Sequence, residues 1–565
     1  MKSLKSRRKW ILPDKIVEEK DIIKTLLEQR GIEENDKFLS PELKDIPSPD
    51  NLFDSKKAAK EIVKSVKKGE RILIHGDFDS DGICASSLLW EFLYRDLAKH
   101  LDIKVDVVPY IPSRIDQGYG LTEESLKDVL DLKTNLLISV DCGVRDEELI
   151  KRYSKKLKFI ITDHHQPPED LSPELPYSLV HQMYPEHEYP QRDICGTTVV
   201  FLLIQQIKKE VGMDYEITED SEGLDLVALA TVTDMMPLVG VNRIFVKYGL
   251  KQIAKGKRKG MRYLCLRAGV DIKEISAYHL GYVIGPRINA CGRIGSPLEG
   301  VKLFVSKKDE QCEDIANALE DLNFQRQQMT VETRSAAQEQ VNEEEKAIFA
   351  IGEDWHEGII GLVAGKLQEE YFRPTIVATS KEGVVKGSAR SIKGFNITDT
   401  LGEFDKYLLR YGGHELAAGF SAKPETIEEF REEFIKYANE KITEEQLVPR
   451  MNVDMLLESE NITKSLIVNL EQLEPYGYGN PKPVICLRDL VIVQQYVMGK
   501  DQGHLKLLVK GSGIDLLTLL LFGAGEDKEE LIKDTKIDVL GYPDLNIWNG
   551  MENVQFTVKE WRFAE

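Results

Sequence analysis

The sequence predicts an α/β protein: a parallel-sheet domain joined by a long helix to a second α/β unit, followed by a C-terminal β-barrel. From residue 46 to 305, short runs rich in Val, Ile and Leu alternate with helix-like segments, the pattern of a parallel sheet covered on both faces. Residues 307–344 contain neither Gly nor Pro and repeat apolar residues at helical spacing, which predicts one long helix. The last stretch, from residue 446, changes to strand-like runs separated by glycine-containing turns.

Each predicted element corresponds to a short run of sequence. The strands of the first unit are RILIH, KVDVVPY, NLLISV and LKFIIT, and the second unit has AIFAIG and PTIVATS on either side of the helical GIIGLVAGKLQEEYF. The C-terminal runs VICLRDLVIVQQYVMG, HLKLLVKG, IDLLTLLLF, KIDVLGY and NVQFTVKEWRF suit a small barrel of the oligonucleotide-binding type. We place the boundaries at residues 1–45 for an N-terminal segment, 46–306 for the first α/β domain, 307–345 for the connecting helix, 346–445 for the second α/β domain and 446–565 for the barrel.

Composition leads us to expect a cytoplasmic protein. The chain has 565 residues, 42% of them hydrophobic, and can bury several cores. Its longest nearly uninterrupted apolar run, Leu516–Phe522, is far short of the roughly 18 residues that a membrane-spanning helix needs. The apolar stretch near the N-terminus ends at Pro13, so we expect no signal peptide. Seven cysteines without a CxxC pair favour reduced thiols over disulfides or a structural zinc site.

The charge distribution leaves nucleic-acid binding open. A net charge of −20 argues against a basic surface overall. Residues 247–267 nevertheless carry eight basic side chains and no acid, and a second basic cluster lies within residues 2–9. Such segments suit a phosphate backbone, although an exposed basic segment is more often only a solvated face.

Acidic residues follow several of the buried runs. The stretch HGDFDSDG (75–82) comes directly after Ile72–Ile74, Asp141 follows LLISV, and Asp-His-His (163–165) follows FIIT. A further acid, Asp234, ends the apolar stretch LVALATVT. In an open parallel sheet the carboxyl ends of the strands meet at one crevice, so we expect these side chains to lie together.

Such a cluster predicts a site for two divalent cations. Carboxylates that share a buried pocket repel one another unless cations neutralise them. Mixed carboxylate and imidazole ligands suit Mn²⁺ or Mg²⁺, and two ions are the arrangement that hydrolyses phosphate esters. A lone DxD turn or His-His pair is usually incidental, but three strand ends together with Asp234 make coincidence a poor explanation.

These motifs resemble those of the DHH phosphoesterase superfamily. Within it, the sequence is most similar to the RecJ family of bacterial single-strand-specific exonucleases, and the similarity runs in order from about residue 70 to 485. Besides the acidic motifs, it rests on IPSRIDQGYGL (111–121), GPRINACGRIG (285–295), DWHEGIIGLVAGKL (354–367), KGSARSIKGF (386–395), GGHELAAGF (412–420) and LEPYGYGNPKPV (473–484).

The resemblance implies a function. It implies a DHH catalytic domain, a DHH-associated domain and an oligonucleotide-binding (OB) barrel that together degrade single-stranded DNA from the 5′ end to 5′-mononucleotides, with two Mn²⁺ or Mg²⁺ ions, in DNA repair and recombination. The implied partners are single-stranded DNA, a single-strand-binding protein and a RecQ-type helicase. A monomer that does not contact the membrane is the expected form.

The resemblance also implies roles for individual residues. One metal would be held by His75, Asp79 and Asp141, and the other by Asp81, Asp141, His164 and Asp234. The residues implied near the scissile phosphate are Asp77, Asp163 and His165. Arg114, Ser388 and Arg390 would grip the terminal 5′-phosphate. The remaining implied substrate contacts are Tyr119, Arg287, Arg293 and, in the groove between domains, His414.

Two other functions remain open on the sequence. One is a DHH oligoribonuclease or cyclic-dinucleotide phosphodiesterase, which is generally shorter and lacks the C-terminal barrel. The other is a non-catalytic replication scaffold that has lost its metals, although every implied ligand is intact here. In the barrel, the candidate base-stacking residues are Tyr496, Phe522, Trp548, Phe556 and Trp561, most of which we expect in the core.

Overall fold

The computed structural model describes residues 3–17, 19–33, 35–112, 120–172, 174–184, 187–548 and 551–564. The N-terminal segment contains β1 (Lys9–Ile11), α1 (Ile22–Gln29) and α2 (Asn35–Leu39). Its apolar side chains, including Leu26 and Phe38, pack into the core of the C-terminal barrel. The two ends of the chain therefore fold together.

The first α/β domain is built on a five-stranded parallel sheet. Its strands are β2 (Ile72–Gly76), β3 (Val107–Tyr110), β4 (Leu136–Val140), β5 (Lys158–Thr162) and β6 (Ser178–Val180), in the order β3-β2-β4-β5-β6. Two short strands, β7 (Met183–Tyr184) and β8 (His187–Glu188), form a separate ribbon. The chain leaves β2 toward one edge of the sheet and returns at β4 on the other side, so the topological switch point lies between β2 and β4.

Helices cover both faces of this sheet and extend beyond it. Their bounds are α3 (Ser55–Lys67), α4 (Ser80–Glu91), α5 (Ala98–Leu101), α6 (Glu123–Asp131), α7 (Glu147–Tyr153), α8 (Gly196–Val211), α9 (Leu224–Thr233), α10 (Gly240–Ala254), α11 (Lys259–Arg267), α12 (Ala277–His279), α13 (Gly285–Ile294) and α14 (Leu298–Val305). Helices α3, α4 and α8 pack with Ile72 and Ile74 on one face, and α6 and α7 pack with Leu73 on the other. Successive residues of β2 thus serve opposite faces.

The strand and helix alternation expected up to residue 305 ends earlier than predicted. From Gly196 to Val305, a stretch that is described throughout, the structure has helices and no named strand. Helix α9 is buried from Leu224 to Thr231, and apart from Asp225 its sequence is apolar on nearly all sides, so it lacks the amphipathic period of a surface helix. A run that is apolar on all sides cannot be distinguished from a buried strand by periodicity alone.

The connecting helix and second α/β domain follow. Helix α15 (Asp309–Gln338) is shorter at both ends than the predicted segment. The next elements are β9 (Ile348–Glu353), α16 (Glu357–Tyr371), β10 (Thr375–Lys381), β11 (Val384–Arg390), α17 (Ile397–Glu403), β12 (Leu408–His414), β13 (Ala417–Ala422) and α18 (Ile427–Lys441). The strand order is β12-β13-β11-β10-β9, in which only β9 and β10 are parallel.

The C-terminal part is a closed barrel, as predicted. Its elements are β14 (Arg450–Asn452), β15 (Met455–Leu456), α19 (Lys464–Glu471), β16 (Ile485–Met498), β17 (His504–Gly511), β18 (Ile514–Leu521), β19 (Lys536–Trp548) and β20 (Met551–Phe563). The pairing of β16 with β19 closes the barrel, and β14 pairs with β1. The predicted fold class is therefore confirmed. Within the described residues, no helix is long and apolar enough to cross a membrane.

A buried arginine joins three parts of the molecule. Arg243 of α10 is 1% exposed, and its guanidinium stacks 3.9 Å from the ring centroid of Phe38. Its N–H groups donate to the backbone carbonyls of Phe38 and of residues 472–475, in the segment between α19 and β16. The first domain, the N-terminal segment and the barrel therefore meet at one side chain.

Replacing Arg243 by Met should weaken this joint, because the carbonyl groups would stay buried without a donor. We expect the free energy of unfolding to fall by at least about 1–3 kcal/mol, measured as a lower unfolding temperature. The matched control is Arg267→Met, which breaks only an exposed ion pair with Glu313 and should cost less than about 1 kcal/mol. Equal unfolding temperatures for the two variants would rule out this role for Arg243.

Candidate metal centre

The register of the sheet brings three aspartates together. Gly76 is paired with Val140, and Val140 with Thr162, so the next residues, Asp77, Asp141 and Asp163, all emerge at the same edge. Asp141 is buried and has a φ of +63°, in the left-handed region, because the chain turns sharply at the end of β4. These positions lie at the switch point of the sheet, as the sequence predicts.

The loop from Asp77 to Asp81 is held by close backbone packing. Asp79 caps α4, and its Oδ1 accepts from the backbone N–H groups of Asp81 (2.9 Å) and Gly82 (3.1 Å). A Cβ on Gly82 would lie 2.4 Å from the carbonyl oxygen of Asp77, so this turn requires glycine. Asn289 of α13 accepts at Oδ1 from the backbone N–H (2.7 Å) and hydroxyl (2.8 Å) of Ser80, which ties the loop to a second helix.

Asp81 is fixed by the start of α8. Its carboxylate accepts from the backbone N–H groups of Gly196 (2.6 Å) and Thr197 (2.8 Å) and from the Thr197 hydroxyl (2.6 Å). A helix N-terminus favours negative charge, so this contact stabilises a buried carboxylate. A Cβ on Gly196 would lie 2.8 Å from the Cβ of Asp141, so only glycine allows α8 to approach the site this closely.

His164 lies at the centre of the carboxylates. Its Nε2 is 3.1 Å from Asp141 Oδ1, 3.5 Å from Asp234 Oδ2 and 3.8 Å from Asp81 Oδ2. The Nε2 of His164 and the Oδ2 of Asp234 are buried, yet neither makes a hydrogen bond, and the same is true of the Nε2 of His75. Buried polar atoms normally form hydrogen bonds, so the unused lone pairs of these buried atoms fit coordination of a cation.

The backbone of the Asp-His-His triplet is rigidly held. Asp163 Oδ1 accepts from the backbone N–H groups of His164 (2.7 Å) and His165 (3.2 Å) and lies 2.8 Å from His165 Nδ1. Its Oδ2 accepts from the N–H of Val144 at 2.9 Å. Gln182 donates to the His164 carbonyl at 2.7 Å, so the imidazole of His164 is set from both sides of its backbone.

The donor atoms form overlapping groups. Three sets of side chains place ligand atoms within 4.8 Å of one another: Asp77, Asp79 and Asp141; Asp81, His164 and Asp234; and Asp141, His164 and His165. Asp141 and His164 each belong to two sets, so the pocket offers adjoining positions for cations. Carboxylate oxygens with one or two imidazoles are a donor set that Mn²⁺ and Mg²⁺ accept.

Burial and mutual repulsion disfavour the ionised carboxylates of this pocket when no cation is bound. Burial, followed by the charges of Asp81 and Asp79, raises the pKa of Asp141 and of Asp234 well above the usual range. Burial lowers the pKa of His75 to about 4, so this imidazole is neutral and able to act as a ligand at pH 7. Burial opposes ionisation of Asp163, but the hydrogen bond and charge of His165 hold the pKa of Asp163 below its usual range.

The other predicted site residues are placed as follows. His75 is fully buried, with Nδ1 3.7 Å from the Sγ of Cys142, and lies outside the three donor groups. Asp77, which the resemblance places beside the ligands, belongs to one of those groups. Arg114 and Tyr119 lie outside the described residues.

Among the predicted substrate contacts, two are engaged within the protein. Arg287 forms a two-pronged ion pair with Glu320 of α15, through Nε (2.5 Å) and Nη2 (3.0 Å). Arg293 donates to the carbonyl of Gly358 at 3.0 Å and so links α13 to the start of α16.

The remaining predicted contacts lie in the second α/β domain. Ser388 and Arg390 project from β11 toward Gly361 of α16, where a Cβ would lie 3.0 Å from the Ser388 hydroxyl and 3.2 Å from Arg390 Nη2. His414 is exposed at the end of β12.

The basic segment at residues 247–267 is largely neutralised by acids. Arg258 is largely shielded from solvent and lies between Glu91 and Asp225, with which it forms ion pairs. The exposed cations pair with acids of neighbouring elements: Lys251 with Glu219, Lys255 and Lys257 with Asp220, Lys259 and Arg262 with Asp309, and Arg267 with Glu313. This segment fits the solvated-face interpretation rather than a phosphate-binding surface.

Sequence reasoning missed the residues that position the ligands. The Gly196–Thr197 pair and Asn289 carry no chemistry of their own, so a search for catalytic side chains passes over them. Two local features of the sequence could have indicated them. The stretch CGTT stands at the start of a buried helix, whose first N–H groups can donate to a carboxylate, and Asn289 lies within the motif GPRINACGRIG.

In the metal-free protein, the raised pKa of Asp234 predicts that stability falls as pH rises. The folded state then binds more protons than the unfolded state, so the free energy of unfolding decreases from about pH 4 up to the raised pKa. Asp234→Asn removes one repelling charge and should raise the unfolding temperature in chelator at pH 8. Added Mn²⁺ should stabilise wild type much more than the variant. A variant less stable than wild type in chelator would contradict this account of the pocket.

Comparison with known proteins identifies the family. Three family models match: the DHH family N-terminal domain at residues 71–231, the DHHA1 domain at 344–440 and the RecJ OB domain at 453–560. The single-stranded-DNA-specific exonuclease RecJ of Bacillus subtilis is 31% identical over 96% of this chain and 68% of its own length. The RecJ of Haemophilus influenzae is 30% identical over 94% of this chain and 92% of its own length.

Solved structures agree with the sequence relatives. The crystal structure of RecJ in complex with Mn²⁺ from Thermus thermophilus superposes with a TM-score of 0.83 at 26% identity, over 99% of this chain and 80% of that one. The Mg²⁺ complex from the same organism gives a TM-score of 0.77 at 25% identity, over 99% and 79%. The resemblance stated from the motifs is confirmed: this chain belongs to the RecJ family of single-stranded-DNA-specific exonucleases.

Proposed function

We propose that this protein degrades single-stranded DNA from its 5′ end to 5′-mononucleotides, using Mn²⁺ or Mg²⁺, in DNA repair and recombination. The observation that carries the proposal is the buried group of carboxylates around His164, which leaves ligand atoms without hydrogen bonds. The relatives named as single-stranded-DNA-specific exonucleases, and the Mn²⁺ and Mg²⁺ complexes of a family member, support the activity and the cofactors.

The proposed ligands are those implied by the resemblance. His75, Asp79 and Asp141 would hold one ion, and Asp81, Asp141, His164 and Asp234 the other. The shared position of Asp141 in two donor groups supports a bridging role. When bound, the ions supply positive charge that activates water and stabilises the charge that develops on the phosphate.

The chain's own groups then orient the phosphate. Asp77, Asp163 and His165 are the proposed residues beside the scissile bond. The hydrogen bond with Asp163 Oδ1, at 2.8 Å, fixes the ring of His165, which remains partly exposed at the mouth of the pocket. A fixed imidazole can donate to a phosphate oxygen without first losing rotational freedom.

A chain of contacts fixes the position of the proposed 5′-phosphate pocket relative to the metals. Asn289 of α13 holds Ser80 in the metal loop, and Arg293 of the same helix holds Gly358 of the second domain. Gly361, one turn further along α16, packs against Ser388 and Arg390. A fixed distance between this pocket and the metals would explain both a 5′ start and a mononucleotide product.

The remaining proposals concern the domains and partners. We assign catalysis to the domain at residues 46–306, which the helix at 307–345 joins to the DHH-associated domain at 346–445. We assign the holding of the DNA strand to the barrel at 446–565. In the barrel, Tyr496 and Phe522 are exposed and available for base stacking, whereas Phe556 and Trp561 belong to the core. A single-strand-binding protein and a RecQ-type helicase are partners proposed on the family resemblance alone. The barrel disfavours an oligoribonuclease or cyclic-dinucleotide phosphodiesterase, and the intact ligands disfavour a scaffold.

Hydrolysis of end-labelled strands tests the function. With Mn²⁺, a 5′-labelled single strand should release labelled mononucleotide at once, whereas a 3′-labelled strand should shorten progressively and a blunt duplex should persist. Asp141→Ala should lower the rate at least ~100-fold while leaving the circular dichroism unchanged, because both ions would lose a ligand. Retention of more than a tenth of wild-type activity in that variant would refute the shared ligand.

The 5′-phosphate pocket has its own test. Arg390→Ala removes a charge-assisted contact of about 1.5–3 kcal/mol. The preference for a 5′-phosphate over a 5′-hydroxyl, measured as the ratio of the two hydrolysis rates, should therefore fall about 10- to 100-fold. Hydrolysis of the 5′-hydroxyl strand should change little. Arg410→Ala, at an exposed arginine of the same domain, is the control. If Arg390→Ala still prefers the 5′-phosphate as strongly as wild type, the pocket lies elsewhere.

A further inference from the structure

Two exposed tyrosines stack on each other near Asp234. Tyr278 and Tyr282 are 63% and 75% exposed, and their ring centroids lie 5.1 Å apart with the planes inclined by 29°. Aromatic side chains usually contribute to stability through burial, and these two are largely in solvent. A stacked pair left exposed offers a flat surface to another ring.

The backbone places this pair at the rim of the metal centre. Between α12 and α13 the helix widens into a π turn, Leu280–Ile284, and such turns recur at functional sites. Within it, Gly281 lies against Val232, and the following Gly285 lies so close to Thr233 that a Cβ would come within 2.3 Å of its Cγ2. Thr233 is the last residue of α9 and precedes Asp234.

The barrel domain reaches the same rim. The N–H of Leu238 donates to the carbonyl of Tyr478 at 2.7 Å, and Gly479 packs on Pro237, so the loop between α19 and β16 contacts the segment after Asp234. Tyr478 is 62% exposed. The segment after Asp234 itself begins with Met235, whose side chain is 64% exposed.

We propose that Tyr278 and Tyr282 form a base-stacking platform for single-stranded DNA at the rim of the metal centre. This deepens the proposed function and rests on it. Unpaired bases are the occupant because the turn that carries the pair packs against Val232 and Thr233, the residues that lead into Asp234, beside the bond that is proposed to be cut. Stacking does not depend on base identity, which suits a substrate degraded whatever its sequence. A duplex buries its base faces, so the platform adds to selection for single strands.

An abasic scan tests the platform. Oligothymidylate strands, each with one abasic site and with phosphorothioate linkages to slow hydrolysis, are titrated into Mn²⁺-loaded protein. In wild type, one or two abasic positions should weaken binding about 5- to 100-fold. In the variant carrying Tyr278→Ala and Tyr282→Ala, the intact strand should bind more weakly by a similar factor, and abasic sites at those positions should have no further effect.

Two control variants accompany the scan. The variant carrying Tyr278→Phe and Tyr282→Phe should keep the wild-type profile, because stacking needs the ring and not the hydroxyl. Tyr94→Ala should leave the binding profile unchanged. Tyr94 is also exposed, and its ring stacks on that of Trp90 with the centroids 4.6 Å apart. It lies about 20 Å from the metal loop, measured along the helical segment that begins at Ser80.

The outcomes separate the two proposals. If the double Ala variant binds the intact strand as tightly as wild type, or keeps its sensitivity at the same positions, the platform is overturned. A wild type that hydrolyses single strands but has no sensitive position overturns the platform alone. A wild type that hydrolyses no single-stranded DNA overturns the proposed function on which the platform rests.

Discussion

The repulsion among aspartates at one edge of the parallel sheet is the constraint on which the rest of the structure depends. Strand register alone brings Asp77, Asp141 and Asp163 side by side. Burial without neutralisation would cost several kcal/mol per charge, so each carboxylate needs a donor or a cation. Asp163 has its donors within the protein, whereas Asp141 and Asp234 have pKa values raised by burial and by their neighbours.

The surrounding helices lie where this constraint requires them. The N-terminus of α8 supports Asp81, the C-terminus of α9 presents Asp234, and α13 holds the loop that carries Asp79. The same α13 also reaches the second domain through Arg293. One helix therefore relates the metal centre to the proposed end-recognition pocket, and Arg243 does the same for the barrel through a separate set of backbone contacts.

Much of this could be predicted because the informative residues are local in sequence. The strands, the long helix and the barrel have characteristic periods, and acids at strand ends must converge once the sheet is parallel. The sequence of α9 could not be assigned to a helix or a strand, because burial on nearly all sides removes the helical period of apolar residues. Gly196 and Asn289 could not be predicted as site residues, because each acts only through a partner that is distant in sequence. The ion pairs of the basic segment at 247–267 could not be predicted, because their acidic partners are distant in sequence and are brought close only by the fold.

The central claim is that the carboxylate cluster is built around two cations that share Asp141. A calorimetric titration of Mn²⁺ into the metal-free protein at pH 8 tests it most directly, because the number of bound ions is read without reference to catalysis. The account predicts two ions per chain in wild type and loss of tight binding of at least one ion in Asp141→Asn. A single ion bound with equal affinity by wild type and variant would contradict it.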